Sequence, residues 1–276
     1  MEIFKNLVAS ILSLLLVIIL ILLPLVSFGA SIFEKTAINQ LIEDIDIRSN
    51  LIDEISINGK TNKNFTKKII KSDFFEELFT LGKDYILAPL FNDSVKLNED
   101  KINAIVDDNI EELTDITRNT IDEYEVTPKE ELKQTVRDSL KKEVPEIVKE
   151  IKNIRKDMNL NDIKDVVSIL PNIHLITILS AVILSGLIFL ATFKHFNGFI
   201  WLGADFGVAA VLTFITNGLV IGIVKSFFSD VGNDDISNTL KRFIENQLEG
   251  AYTATMIILS VIAAVFIILA IVLKVL

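Results

Sequence analysis

The sequence predicts an all-α integral membrane protein with four transmembrane helices and a helical extracytoplasmic domain inserted between the first and second. Three observations carry that prediction. Residues 7–30, 173–193, 199–224 and 251–273 are apolar blocks almost free of charge, and about 20 apolar residues suffice to cross a bilayer core. The charges crowd instead into residues 34–165, with 30 Asp and Glu against 21 Lys and Arg, nine of the ten net negative charges of the chain. Finally, apolar residues recur at helical spacing throughout that polar stretch, and no alternating run of Val, Thr and aromatic residues marks a strand.

The first block, residues 1–30, opens with Lys5 ahead of an almost unbroken run of Leu, Ile and Val. A cleaved signal peptide ending near Ser27-Phe28-Gly29 is the alternative, but signal cores usually hold about 7–15 apolar residues and this run is longer. Pro24 is expected to kink the span, which membrane helices tolerate.

Residues 31–171 form the predicted outer domain. Ile38, Leu41, Ile42, Ile45, Leu51, Ile52 and Ile55 imply a helix over 37–57, broken at 58–62 by Asn-Gly-Lys-Thr-Asn. Phe74, Phe75, Leu78, Phe79, Leu81 and Ile86 make 73–87 the aromatic centre of the domain core. Ile102, Ile105, Val106, Ile110, Leu113 and Ile116 place a single helix over 98–117. Thr127-Pro128-Lys129-Glu130 reads as a capping box with proline at the first helical position. Leu132, Val136, Leu140 and Val144 follow, Pro145 kinks or restarts the helix, and Ile147, Val148, Ile151 and Ile154 continue the stripe. A last helical piece over 161–170 leads through Pro171 into the membrane. Antiparallel packing of the acidic stretch 107–125 on the Lys-rich stretch 129–156 would bring opposite charges together.

Residues 172–224 form a hairpin of two spans around the short polar break 194–198. Residues 225–250 form a second outer loop. There Ile236, Leu240, Phe243, Ile244 and Leu248 describe an amphipathic helix stopped by Gly250. The outer domain is the expected cover for its apolar face. Residues 251–276 are the fourth span. Lys5, Lys194 with His195, and Lys274 then share one side, which the positive-inside rule makes the cytoplasm. Both termini are therefore expected in the cytoplasm, in a multi-pass protein of the plasma membrane.

The third span carries the candidate sites. Gly203 and Gly207 repeat the small-xxx-small spacing, as do Gly218 and Gly222. At 100° per residue the four fall within about 100° of arc, a stripe for close helix packing. Asp205 lies on the opposite side, in line with Ala209 and Thr216, with Thr213 nearby. An ionisable residue inside a span is a functional-site candidate. The bland alternative starts the span at Phe206 and leaves Asp205 at the interface beside Trp201, within reach of Lys194 or His195.

Several classes are excluded or not expected. Without cysteine there is no disulfide, thiolate metal site or cysteine nucleophile. His174 and His195 sit at opposite ends of one span and cannot share a metal. Leu202-Gly203-Ala204-Asp205 does not match the GxGD motif of intramembrane aspartyl proteases, and no GxSxG elbow or phosphate-binding glycine loop is present. The acidic balance argues against nucleic acid. No cofactor, no metal and no enzymatic activity are expected. The expected function is a non-enzymatic interaction or sensing module on a membrane bundle, with membrane lipid around it and a protein partner or a second copy engaged through the outer domain or the third span. The alternative is a homo-oligomeric pore or transporter subunit with Asp205, Thr213, Thr216 and Asn217 along a polar path.

Overall fold

A computed structural model of the chain describes residues 2–45, 63–121, 124–192, 195–229 and 235–275. Among the described residues every regular element is helical. In order these are α1 (Glu2–Ile32), α2 (Lys35–Asp44), α3 (Lys63–Ile70), α4 (Asp73–Leu87), a 3-10 turn (Ala88–Phe91), α5 (Glu99–Asp108), α6 (Ile110–Arg118), α7 (Lys129–Asp157), α8 (Asn161–Thr192), α9 (His195–Ser229) and α10 (Asp235–Val275). The chain divides into two compact units, residues 1–45 with 167–276, and residues 46–166.

The first unit contains four helices long and apolar enough to cross a membrane, which makes the chain compatible with a multi-pass membrane protein. α9 and α10 form its most extensive pair, and α1 packs on both. Its core joins Leu16 and Leu20 of α1, Ala181 and Ile188 of α8, Leu202, Phe206, Ala209 and Ala210 of α9, and Leu259 and Ala263 of α10. The outer faces are apolar too: Val211, Phe214, Leu219, Ile223 and Ile183 are each at least 60% exposed. Such surfaces are stable against hydrocarbon and unstable against water.

Several helix ends differ from the sequence reading. The break after α1 falls at Phe33 and Glu34, and α2 begins at once, so the two are separate helices. α2 ends at Asp44, with Ile45 extended; the remainder of the predicted 37–57 helix and the 58–62 break lie outside the described residues. α8 runs unbroken through Pro171. The ring removes one backbone donor, and Asn172 Nδ2 donates to the Ser168 carbonyl in that turn at 3.3 Å. α9 begins at His195, so Gly198 is helical and not part of the polar break; residues 193–194 lie outside the described residues. A Cβ on Gly198 would come within 2.7 Å of Phe189 Cδ2, so the bare glycine lets α8 and α9 close up here. Gly250 does not stop a helix. α10 passes through it, because Leu248 and Tyr252, on the turns either side, are both buried at 1% exposure. Continuing the helix buries both, against roughly 1 kcal/mol for an interior glycine. α2, which falls within the predicted 31–171 domain, packs on α10.

The second unit is built around Phe74, Leu97, Ile102, Val106, Leu113, Val144 and Val148. Ser72 caps α4, its hydroxyl accepting from Phe75 N at 3.3 Å, and Asn98 caps α5, accepting from Lys101 N at 3.2 Å. The predicted 98–117 helix is two helices. Asn109 turns its amide back to the Ile105 carbonyl, 2.9 Å away, and its backbone leaves helical geometry at φ −102, ψ 11. The capping box at Thr127 does not form: Pro128 is itself the N-cap, extended at ψ 136, which starts α7 at Lys129 without a side-chain cap. α7 does not restart at Pro145 but runs through it as one helix, with Val144 and Val148 on either side buried in the same core.

Candidate functional site

The polar residues of α9 define the site. Asp205, Ala209, Thr213 and Asn217 follow one another at intervals of four, a row that winds about 40° per step around the helix. Asp205 is only 6% exposed. The Ser13 hydroxyl of α1 donates to its Oδ1, while Oδ2 is buried with no hydrogen-bond partner among the described residues. The carboxyl group is thus buried between helices and bonded to α1. No charged group pairs with it among the described residues.

Thr213 is fully buried, and its Oγ1 has no hydrogen-bond partner among the described residues. This departs from local habit: Ser185, Thr192 and Thr255 each donate to the carbonyl four residues before, at 2.8 Å. Thr216 Oγ1 donates to the Thr213 carbonyl at 3.1 Å and is also the hydrogen-bond neighbour of the Tyr252 hydroxyl on α10. Asn217 Oδ1 is again buried without a partner among the described residues, as is Glu245 Oε1 on α10.

The glycines divide into two pairs. A Cβ on Gly203 would meet Ile267 Cγ1 at 2.8 Å and the Ala263 carbonyl at 3.4 Å, and one on Gly207 would touch Ala263 Cβ at 4.0 Å. These two let α10 approach. Among the described residues nothing lies within 4 Å of a Cβ on Gly218 or Gly222, so that half of the stripe meets open space there.

Sequence reasoning missed Ser13, Tyr252 and Glu245. The signal was present. Ala9, Ser13, Leu16 and Leu20 repeat at 4, 3 and 4 residues, and all are buried. Leu248, Tyr252, Thr255 and Leu259 repeat similarly, and Glu245 extends their seam by one step. Both seams place a polar side chain where the neighbours are core.

Two apolar recesses accompany these features. In the membrane unit a cleft of about 800 Å³ opens between α1, α8 and α10, with Ser27 Oγ and His174 Nε2 3.1 Å apart on its wall. In the polar unit a cleft of about 270 Å³ is lined by Phe65, Ile69, Phe74, Leu113, Tyr124 and Leu132.

The polar unit also carries a charged seam. Lys129 reaches Asp115 at 2.8 Å and Glu111 at 3.4 Å, and Lys133 bonds Glu111. Asp107 accepts from Lys141 at 2.8 Å and Arg137 at 3.0 Å. The hydrogen bond from Lys141 holds the Asp107 carboxyl below the usual range, and that from Lys133 does the same for Glu111. The Asp115 carboxylate pushes the Lys129 ammonium up. No group of three or more His, Cys, Asp or Glu that could hold a metal exists among the described residues. Comparison with protein-family models, with curated proteins and with solved structures finds no match.

Proposed function

We propose that this chain is a non-enzymatic, multi-pass protein of the plasma membrane. In this reading residues 46–166 form an extracytoplasmic interaction or sensing module, and the four apolar helices anchor it with both termini in the cytoplasm. The observation that carries the reading is the division of labour between the units: the polar unit has its own core and an open apolar cleft, while the other unit presents hydrocarbon on its outside. A membrane anchor alone needs no second core. The partner is a protein or a second copy of the chain, engaged through the polar unit or through the free Gly218 and Gly222 face of α9. Crosslinking in native membranes followed by mass spectrometry tests this. Crosslinks from lysines of residues 63–164 to a discrete partner or a second copy are expected. Their absence, together with full function after deletion of residues 60–165, would remove the proposal. Protease added to intact cells should spare tags on both termini.

A second reading, a pore or transporter subunit, is favoured by the buried carboxylate of Asp205 with its free oxygen and by the polar row that continues from it.

A further inference from the structure

The cleft between α1, α8 and α10 is closed at both ends by contacts of α8. Near Ser27 and His174, a Cβ on Gly29 of α1 would meet Leu170 Cδ2 of α8 at 3.3 Å. At the far end the Phe189 ring of α8 packs edge-on against Phe199 of α9. Phe199 lies 6.0 Å from Phe266 of α10, and Phe266 lies 5.7 Å from Phe206. Phe206 and Phe266 line the cleft, so its deep end is an aromatic floor. Between these ends Val182, Ile258 and Val261 line it and are each more than half exposed. The resulting space, about 800 Å³, is within the range of pockets that enclose a small molecule.

Polarity is confined to one end of this space. Ser185 and Thr255 stand on its wall, but their hydroxyls donate to the Ala181 and Ala251 carbonyls at 2.8 Å. The remaining polar feature is the Ser27–His174 pair. It lies where three apolar blocks end: Ser27 near the close of residues 7–30, His174 at the start of 173–193, and Ala251 across the cleft at the start of 251–273. In a membrane that end faces the headgroups and the aromatic floor lies in hydrocarbon. The α8 wall descends about 16 Å from His174 to Ser185, and the α10 wall about 22 Å from Ala251 to Phe266. One leaflet of the hydrocarbon core is about 15 Å deep. We infer that the cleft binds one membrane glycerophospholipid, with an acyl chain laid along Val182 and Ile258 onto the Phe206–Phe266 floor and its ester group against Ser27 and His174.

The polar pair suits an ester. Ser27 and neutral His174 hold two donors between them and use one on each other, so in either tautomer one O–H or N–H remains to donate to an ester carbonyl. A free fatty acid would bring a carboxylate instead, and among the described residues no Lys or Arg lines the cleft to meet it. A helix from a second copy would have to cross the whole core, about 30 Å, and would run onto the aromatic floor. A single chain of one leaflet ends there. The inference rests on the reading of the four apolar helices as membrane spans, and not on the role given to the polar unit.

The test reconstitutes the full-length protein into phosphatidylethanolamine–phosphatidylglycerol liposomes doped with a phosphatidylcholine that carries a mid-chain diazirine on one tail. Proteoliposomes are floated, illuminated, and the labelled positions mapped by peptide mass spectrometry. Labelling at Val182 and Ile258 is expected to exceed that at Phe214 and Leu219, which are similarly exposed on the outer face of α9. Ala254→Phe, which fills the cleft from an exposed position on its wall, should remove the excess and leave α9 labelling unchanged. His174→Ala should weaken competition by unlabelled phospholipid about 5-fold, the scale of one hydrogen bond. Both variants should stay monodisperse in detergent, so a loss is not mistaken for misfolding. Floated protein labelled equally in the cleft and on α9, or an excess that survives Ala254→Phe, overturns the site alone. Competition by palmitate as strong as by phospholipid overturns the ester assignment. Protein that fails to float overturns the membrane reading together with the site.

Discussion

The two units solve opposite problems with the same secondary structure. In the polar unit the exposed faces are charged and paired, as Asp107 with Lys141 and Arg137, and the buried hydroxyls of Thr114 and Thr117 are satisfied by carbonyls four residues before them, at 2.6 and 2.7 Å. Among the described residues one buried oxygen there, on Asn103, lacks a partner. In the membrane unit the exposed faces are Val, Phe, Leu and Ile, and the unpartnered oxygens lie inside. Water rewards the first arrangement through hydrophobic burial. Lipid gives no such reward between helices, so close packing at small residues and interior polar groups must specify how the helices meet. Among the described residues, unsatisfied buried oxygens number one in the polar unit and four in the other.

That contrast can be broken at its strongest point by truncating an aromatic in each unit. Phe74→Ala, at 6% exposure in the polar core, should lower stability by about 3–5 kcal/mol. Phe214→Ala, 64% exposed on α9, should change it by under about 0.5 kcal/mol in detergent or lipid. Urea titration of the full-length protein, followed by protease sensitivity within each unit, measures both. Equal losses would mean that Phe214 is covered by another chain.

Packing within the membrane unit sharpens the comparison next. Gly203→Leu must displace Ile267 and the α10 backbone, a strain of about 1–3 kcal/mol. Gly218→Leu has open space and should be neutral in a monomer. Thermal aggregation onset in detergent separates the two. Destabilisation by Gly218→Leu instead, with loss of a dimer on chromatography, would assign that half of the stripe to a second copy.

The smallest effects belong to the charged seam. Asp107 and Glu111 have folded-state values below their ordinary ones, so the folded chain binds fewer protons than the unfolded chain as acid is added. Their contribution is present above the ordinary carboxylate range and is lost as pH falls through the lowered folded values. The thermal midpoint of the polar unit should thus fall in acid below about pH 4, and Asp107→Asn should flatten that fall. Lys129, raised by Asp115, gives the opposite limb: its contribution is present at neutral pH and lost only as pH rises through the raised value, above 10.5. Salt at about 1 M should weaken the seam slightly by screening. A midpoint independent of both acid and salt would reduce these pairs to solvated neighbours.

Helix type, the four apolar blocks and the core residues Phe74, Ile102, Leu113 and Val144 could be read from composition and period, because burial and helical spacing are both written along the chain. So could the opposition of acidic and basic stretches that became the seam of α5 and α6 with α7. Local signals failed where they competed with packing. Pro145, Pro171 and Gly250 carry breaker chemistry that a neighbouring turn with buried or hydrogen-bonded residues overrode, and Thr127 lost its cap to a one-residue shift. Asp205 as an unusual residue, and Gly203 as a place of close approach, were decided by the sequence alone. Only the tertiary structure decided that Ser13 holds one carboxyl oxygen of Asp205 and that the other is buried with no hydrogen-bond partner among the described residues. Those facts depend on which helix lies opposite which, and no single helix's pattern encodes its partner.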